Sequence, residues 1–131
     1  MRHDNRGFTL IELLMVVVII GILAAIAIPK FRTTKEEAYT SKMKGDLRNL
    51  ATAQEAYTSD NGVYYNGPIP APALVYNPSQ GVTLALANVT ATGWGATAAS
   101  PGLTARTCAI YFGTGGPLGP ATAEGRVACT P

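Results

Sequence analysis

The sequence RGFTLIELLMVVVIIGILAAIAIPK, residues 6–30, is an almost continuous run of apolar side chains. Between residues 8 and 28 this apolar segment is interrupted only by Thr9, Glu12 and Gly21. As an α-helix, residues 8–28 would be about 31 Å long, close to the ~30 Å hydrocarbon thickness of a bilayer. The pattern therefore predicts a helix that can cross a membrane.

Glu12 is the one carboxylate within this apolar segment. A charged side chain at the centre of a bilayer costs roughly 2.5–3.5 kcal/mol on insertion scales, so such residues generally have a function. Because Glu12 lies near one end of the segment, a second interpretation is that its carboxylate only reaches out to the membrane interface.

The net charge and the histidine content of the chain argue against several classes of function. Its net charge is only +2, which does not predict a nucleic-acid surface, and its single histidine is His3. We therefore expect neither an enzyme nor a cofactor, and no specific nucleic-acid ligand.

Cys108 and Cys129 are the only cysteines. We expect them to form one disulfide in an oxidising compartment, and the alternative is two buried, unpaired thiols. A zinc site is disfavoured because no histidine lies near the two cysteines in the sequence.

The helical pattern continues beyond the apolar segment. One stripe of an amphipathic helix is formed, at spacings of four, three, four and three, by Met43, Leu47, Leu50, Gln54 and Tyr57. Charged residues fall mostly off this stripe, namely Lys42, Lys44, Asp46, Arg48 and Glu55. The sequence SDNG at residues 59–62 predicts the helix end. Pro29 is expected to kink the helix.

The remainder predicts a small sheet. Residues 63–80 contain four prolines and predict a loop. Strands are predicted at residues 82–90, 93–98, 104–112 and 125–130, with Val82, Leu84 and Leu86 on one face of the first strand. The short spacing favours an antiparallel meander. The expected fold class is α+β, a long N-terminal helix whose rear half packs on a small sheet.

The N-terminal region allows three interpretations. One is a secretory signal that is cut after Ala27, with Ala25 and Ala27 as the small residues of the cleavage site. Another is an uncleaved membrane anchor. In the third, a cut after Gly7 leaves the apolar segment on the mature chain. Basic residues flank both ends of the segment and do not settle its orientation: Arg2, Arg6, Lys30, Arg32 and Lys35.

The sequence GFTLIE at residues 7–12, with a basic residue before it and an apolar run after it, resembles the class III signal of bacterial type IV pilins and type II secretion pseudopilins. The similarity extends through Pro29, the sequence DNGVY at residues 60–64 and the C-terminal cysteine pair. The resemblance implies a pilin fold with a cleaved leader (1–7), a transmembrane and filament-core half-helix (8–29), an amphipathic half-helix (30–62) and a disulfide-closed loop and sheet region (63–131).

The resemblance also implies the processing and assembly residues. A prepilin peptidase would cut between Gly7 and Phe8 and methylate the new Phe8 amine. Glu12 would pair with the Phe8 ammonium of a neighbouring subunit as that subunit joins the filament. Gly21 and Pro29 would let the helix unwind locally when the filament stretches, since both weaken helical hydrogen bonding.

The function expected from the resemblance is a structural subunit of a type IV pilus, serving adhesion, twitching motility or DNA uptake. Its expected partners are copies of itself, the prepilin peptidase and N-methyltransferase, and the inner-membrane assembly machinery. The chain would cross the inner membrane once before assembly and lie in an extracellular filament afterwards. Two alternatives remain: a type II secretion pseudopilin, and a secreted binding module released by signal peptidase.

Overall fold

The computed structural model describes residues 7–103 and 106–131. The chain forms two compact units, one extending to Lys35 and the other comprising Glu36–Pro131. A single long helix, α1 (Leu10–Asn61), contributes to both, and the second unit also contains a four-stranded sheet. The predicted α+β class is confirmed.

Helix α1 ends where its sequence predicts. Gly62, the residue after its last turn, has a positive φ of 72°, and its N–H donates to the carbonyl oxygen of Thr58 at 2.7 Å. Glycine adopts this left-handed conformation without the strain that a Cβ would add. The helix begins at Leu10, two residues later than predicted, and it continues through Pro29.

The predicted stripe is the face that α1 buries in the second unit. Met43, Leu47, Leu50 and Gln54 are buried, and Tyr57 is partly buried. They join a core cluster that includes residues of the loop and the sheet, among them Leu74, Val82, Leu84, Trp94, Ala96, Ala98, Cys108 and Ile110. Burying a large apolar side chain contributes about 1.5–3 kcal/mol, so this cluster is the main source of stability in the unit.

Asp46 is the exception to the prediction that the charged residues lie mostly off the buried stripe. Only 4% of this residue is exposed. Its Oδ1 accepts hydrogen bonds from the Tyr76 hydroxyl at 2.9 Å and the Ser79 hydroxyl at 3.0 Å, and its Oδ2 accepts one from the Ser79 N–H at 3.0 Å. A buried carboxylate is tolerated when donors replace its water. Asp46 thus fastens the end of the predicted loop to α1.

Gln54 fastens the start of the same loop. Its Nε2 donates to the Tyr65 carbonyl at 3.0 Å, and its Oε1 accepts from the Tyr65 N–H at 2.9 Å. Both polar atoms of a fully buried amide are therefore satisfied. Between these two attachment points lies a short 3-10 helix, Pro72–Leu74, that the loop prediction did not contain.

The sheet is an antiparallel meander with the order β1-β2-β3-β4, as predicted. Its strands are β1 (Thr83–Thr90), β2 (Gly93–Ala99), β3 (Thr107–Gly113) and β4 (Ala128–Cys129). The last strand is shorter than predicted. The predicted start of the third strand, at residues 104–105, lies outside the described residues. Val82 and Leu84 are buried and Leu86 is partly buried, as the alternation predicts.

The disulfide expected between Cys108 and Cys129 is present in the structure. It joins β3 to β4 at one of only two paired positions between these strands, the other being Ala109 with Ala128. A two-residue strand supplies little ladder hydrogen bonding, so the covalent link reinforces the hydrogen bonds between Thr130 and Thr107, which also hold the C-terminal end on the sheet. By the chain-entropy argument, a loop of this size contributes about 3 kcal/mol.

The Asp46 attachment leads to a stability prediction for residues 30–131, which we expect to fold alone because the core cluster lies within the second unit. Burial, and then the hydrogen bond to Asp46, raise the pKa of Tyr76 above its ordinary value of 10.0. Tyr76→Phe should lower the free energy of unfolding at neutral pH by about 1–3 kcal/mol, because a buried carboxylate loses a donor.

The pH dependence of the same variant follows from linkage. Because the folded-state pKa of Tyr76 is raised, its contribution is complete below the ordinary pKa and declines as pH rises toward the folded-state value. Urea unfolding above pH 10 should therefore show a shallower decline for Tyr76→Phe than for the parent. Tyr111→Phe is the control, since its hydroxyl donates to the Thr122 carbonyl at an exposed position. Equal slopes for Tyr76→Phe and its parent would contradict the burial of this phenol.

Candidate assembly site

The first turn of α1 is closed by a reciprocal pair of hydrogen bonds between Thr9 and Glu12. Thr9 immediately precedes the helix, and its Oγ1 accepts from the Glu12 N–H at 3.3 Å. In return, Oε2 of Glu12 accepts from the Thr9 N–H at 2.8 Å and from the Thr9 hydroxyl at 2.7 Å. This is a capping box, in which two otherwise unpaired N–H groups are satisfied. The cap explains why the helix begins at Leu10.

The cap engages only one oxygen of the Glu12 carboxylate. Within residues 7–103 and 106–131, no hydrogen bond to Oε1 is present, and both hydrogen bonds to this side chain come from Thr9. The helix therefore presents a carboxylate that is oriented by its own first turn and still has an oxygen available. Such a group can bind a cation from another molecule without losing the cap.

Gly7 and Phe8 lie before the helix, and both are exposed, Phe8 to 84%. The peptide bond between them is therefore in an accessible, non-helical stretch next to the cap. The structure brings Phe8 and Glu12 to the same end of α1. The leader residues before Gly7 lie outside the described residues.

The apolar side chains that follow Glu12 on α1 are exposed. Each of the large ones in this segment is at least 46% exposed: Leu13, Leu14, Met15, Val16, Val17, Val18, Ile19, Ile20, Ile22, Leu23, Ile26 and Ile28. The helix is long and apolar enough to cross a membrane, although a signal sequence would satisfy the same criterion. An uncovered surface of this size requires lipid or other protein around it.

Gly21 and Pro29 lie within this exposed part of the helix. A Cβ added at Gly21 would meet no atom within 4 Å, so nothing described in the chain requires a glycine there. Pro29 has no N–H to donate into the helix, and its own carbonyl accepts from the Thr33 hydroxyl at 3.3 Å. The reason for a glycine at position 21 therefore has to be sought in its environment or in helix flexibility.

The capping box is the feature that the sequence interpretation missed. The signal was present, because Thr-x-x-Glu directly before an apolar run is a recognised helix start.

Among the described residues, no group of three or more histidine, cysteine, aspartate or glutamate side chains lies close enough to hold a metal ion. The site is therefore one of helix termini, charge and apolar surface.

Comparison with known proteins finds a family-model match in the first part of the chain and a similar pilin protein. Residues 2–28 match the family model of the prokaryotic N-terminal methylation motif. The type IV major pilin protein PilA of Myxococcus xanthus is 53% identical over 60 residues, covering 46% of this chain and 27% of that protein.

Type II secretion system core protein G matches as well. The Pseudomonas aeruginosa protein is 40% identical over 78 residues, covering 60% of this chain and 55% of that protein. The Vibrio cholerae protein is 41% identical over 77 residues, covering 59% and 53%. The predicted resemblance to the pilin and pseudopilin superfamily is confirmed.

The match to the family model lies at the N-terminus, at residues 2–28. The chain spans about half the length of the core protein G relatives and about a quarter of the PilA relative. These relatives are named as pilin or secretion-system core proteins and not as enzymes. The methylation motif, together with the exposed apolar helix, indicates a chain that is anchored in a membrane.

The capping box leads to a prediction about the first helical turn. Thr9→Val keeps the side-chain shape but removes the hydroxyl, and should destabilise that turn by about 0.5–2 kcal/mol. Amide hydrogen exchange by NMR in detergent micelles should then be several-fold faster at Ile11 and Glu12. Thr9→Ser and Glu12→Gln retain the capping atoms and should exchange like the parent. Unchanged exchange in Thr9→Val would show that the cap does not hold the turn.

Proposed function

We propose that this chain is the structural subunit of a type IV pilus, a surface filament used for adhesion, twitching motility or DNA uptake. The observation that supports this proposal most is the position of Glu12. It is a capped carboxylate with an available oxygen at the head of an apolar helix surface that its own chain leaves exposed. A filament of packed helices provides both the cover and the missing cation.

The proposed site is assembled by processing. A prepilin peptidase on the cytoplasmic side cuts between Gly7 and Phe8, and the new Phe8 amine is methylated while keeping its positive charge. The cut leaves the Thr9 N–H intact as a peptide donor, so the capping box survives. The chain now carries an ammonium and a carboxylate at the same helix end, and neighbouring copies present the opposite charges to each other.

Pairing between subunits supplies axial register. An unpaired carboxylate inside an apolar helix bundle is strongly unfavourable, whereas one that meets a cation with good geometry is tolerated. Oε1 of Glu12 in one subunit binds the Phe8 ammonium of the incoming subunit, while Oε2 stays on Thr9. A subunit inserted one turn too high or too low leaves both charges without partners and is rejected.

Gly21 and Pro29 adapt the helix to the filament. Glycine lowers helix stability by about 1 kcal/mol relative to alanine, and proline removes a hydrogen bond, so the stretch between them is the part most easily unwound. Gly21 and Ala25 also form a pair of small residues four positions apart, which lets helices approach closely. The C-terminal end of the second unit is closed by the disulfide between Cys108 and Cys129.

A type II secretion pseudopilus subunit is the second candidate, because relatives named core protein G match this chain over more residues than PilA does. A major pseudopilin usually binds calcium through carboxylates of its sheet region. After Asp60, this chain has only one acidic residue, Glu124, and its Oε1 accepts the Gly113 N–H at 2.6 Å. Calcium requires six to eight oxygen ligands. A deletion strain that loses fibres but keeps secretion would favour the pilus.

The proposal predicts the phenotype of Glu12→Gln. Glutamine retains the capping oxygen but removes the charge, so membrane insertion should be as easy or easier. Cleavage after Gly7 should continue, while the incoming Phe8 ammonium finds no counter-charge. Electron microscopy should show at least ten-fold fewer fibres, and immunoblots should show processed subunit accumulating in the inner membrane. Glu37→Gln, an exposed carboxylate outside the apolar segment, is the matched control and should assemble normally.

Two results would contradict the pairing. Normal fibre numbers in Glu12→Gln would leave only the interfacial explanation for this carboxylate. Loss of fibres in Glu37→Gln equal to that in Glu12→Gln, with normal processing in both, would assign the defect to the general loss of a carboxylate and not to pairing at Glu12.

A further inference from the structure

Three cations directly follow the apolar segment on α1 and form what we call the basic cluster: Lys30, Arg32 and Lys35. All three side chains are exposed. Among the residues that the structure describes, none of them makes a hydrogen bond or ion pair through its side chain. Phe31, between the first two, is 72% exposed. Charges that have no partner in their own chain are available to a partner of opposite charge.

The position of the basic cluster along the helix is fixed by the apolar segment. From Leu10 to Ile28 an α-helix rises about 27 Å, which nearly fills a hydrocarbon core of ~30 Å. Residues 30–35 then rise a further ~3–10 Å, to the depth of the lipid headgroups on the opposite side. Lysine and arginine stems can lie along acyl chains while their charges reach the phosphates.

The angular arrangement spreads the basic cluster and Phe31 over more than half of the helix circumference. At about 100° per residue, the three cations and Phe31 fall within an arc of about 200° of the helix surface. The aromatic ring can therefore sit in the acyl region while the charges around it contact headgroups. The sequence contains no carboxylate between Glu12 and Glu36 to neutralise this arc from within the segment.

We propose that the basic cluster binds the phosphates of anionic phospholipids in the leaflet opposite the processed end, and so holds the unassembled subunit at a defined depth. This inference rests on the proposed membrane-anchored subunit. Each cation close to an anionic surface favours binding roughly five-fold. During assembly these contacts are broken as the subunit leaves the bilayer, so the cluster opposes extraction until the Glu12 pair forms.

The test uses the full processed chain in mixed micelles that contain equal amounts of phosphatidylglycerol and phosphatidylcholine. Native mass spectrometry should find monomeric subunit carrying phosphatidylglycerol in at least ten-fold excess. The Lys30→Gln, Arg32→Gln, Lys35→Gln triple variant should lose most of that excess. The matched control is the Lys42→Gln, Lys44→Gln, Arg48→Gln triple variant, which removes the same charge from exposed positions further along α1 and should retain the excess.

Several outcomes would overturn the inference. These are equal retention of the two lipids by the parent, an unchanged excess in the first triple variant, or an equal loss in the control. Displacement by inorganic phosphate more than by chloride at the same ionic strength would assign the cations to a free anion. An excess seen only in dimers would assign them to a second copy. If the triple variant fails to insert, each single variant should show a several-fold smaller excess of phosphatidylglycerol than the parent. An unchanged excess in all three single variants would contradict the proposal.

This measurement does not depend on filaments. Lipid selectivity of isolated monomers can be present when Glu12→Gln or the deletion strain shows that the pilus proposal is wrong. Conversely, fibres can form normally while the triple variant shows no lipid preference, in which case only the lipid inference fails.

Discussion

The apolar side chains of α1 between Leu10 and Ile28 are exposed to solvent in the isolated chain, and this constraint governs the rest of the molecule. Fully burying one large aliphatic side chain is favourable by about 1.5–3 kcal/mol, so a segment composed almost entirely of such residues has to be covered. In the proposed subunit, a bilayer covers it before assembly. In the proposed filament other helices cover it, and Glu12 restricts which helix arrangements are allowed because it requires a cation.

The second unit meets the opposite requirement, since it has to stay folded in water whichever environment surrounds the first part of the helix. Its core is small, and two buried polar side chains of α1 complete it. Asp46 and Gln54 hold the two ends of a proline-rich loop against the helix through bonds to Tyr76, Ser79 and Tyr65. These bonds are directional, so they position the loop where apolar contacts alone would allow it to slide.

The large features of the fold were predictable because each depends on a local pattern. The apolar segment, the stripe from Met43 to Gln54 and the alternation around Leu84 each report a periodicity of burial. Asp46 was not predictable, because its burial depends on donors in a loop thirty or more residues away. The length of strand β4 was overestimated for a similar reason, since the disulfide and the hydrogen bonds between Thr130 and Thr107 hold this end of the chain in place. In the candidate site, Glu12 was identified from its charge, whereas its bonds to Thr9 were missed although Thr-x-x-Glu before an apolar run is a recognised helix start.

In the proposed subunit, the apolar segment stays on the mature chain, which begins at Phe8. Intact-mass and N-terminal peptide analysis of the mature protein isolated from the cell tests it most directly. We expect a chain that starts at Phe8 and is one methyl group heavier than its sequence. A mature chain that starts at Ile28 would contradict it, because removal of the segment leaves neither a membrane anchor nor an assembly helix.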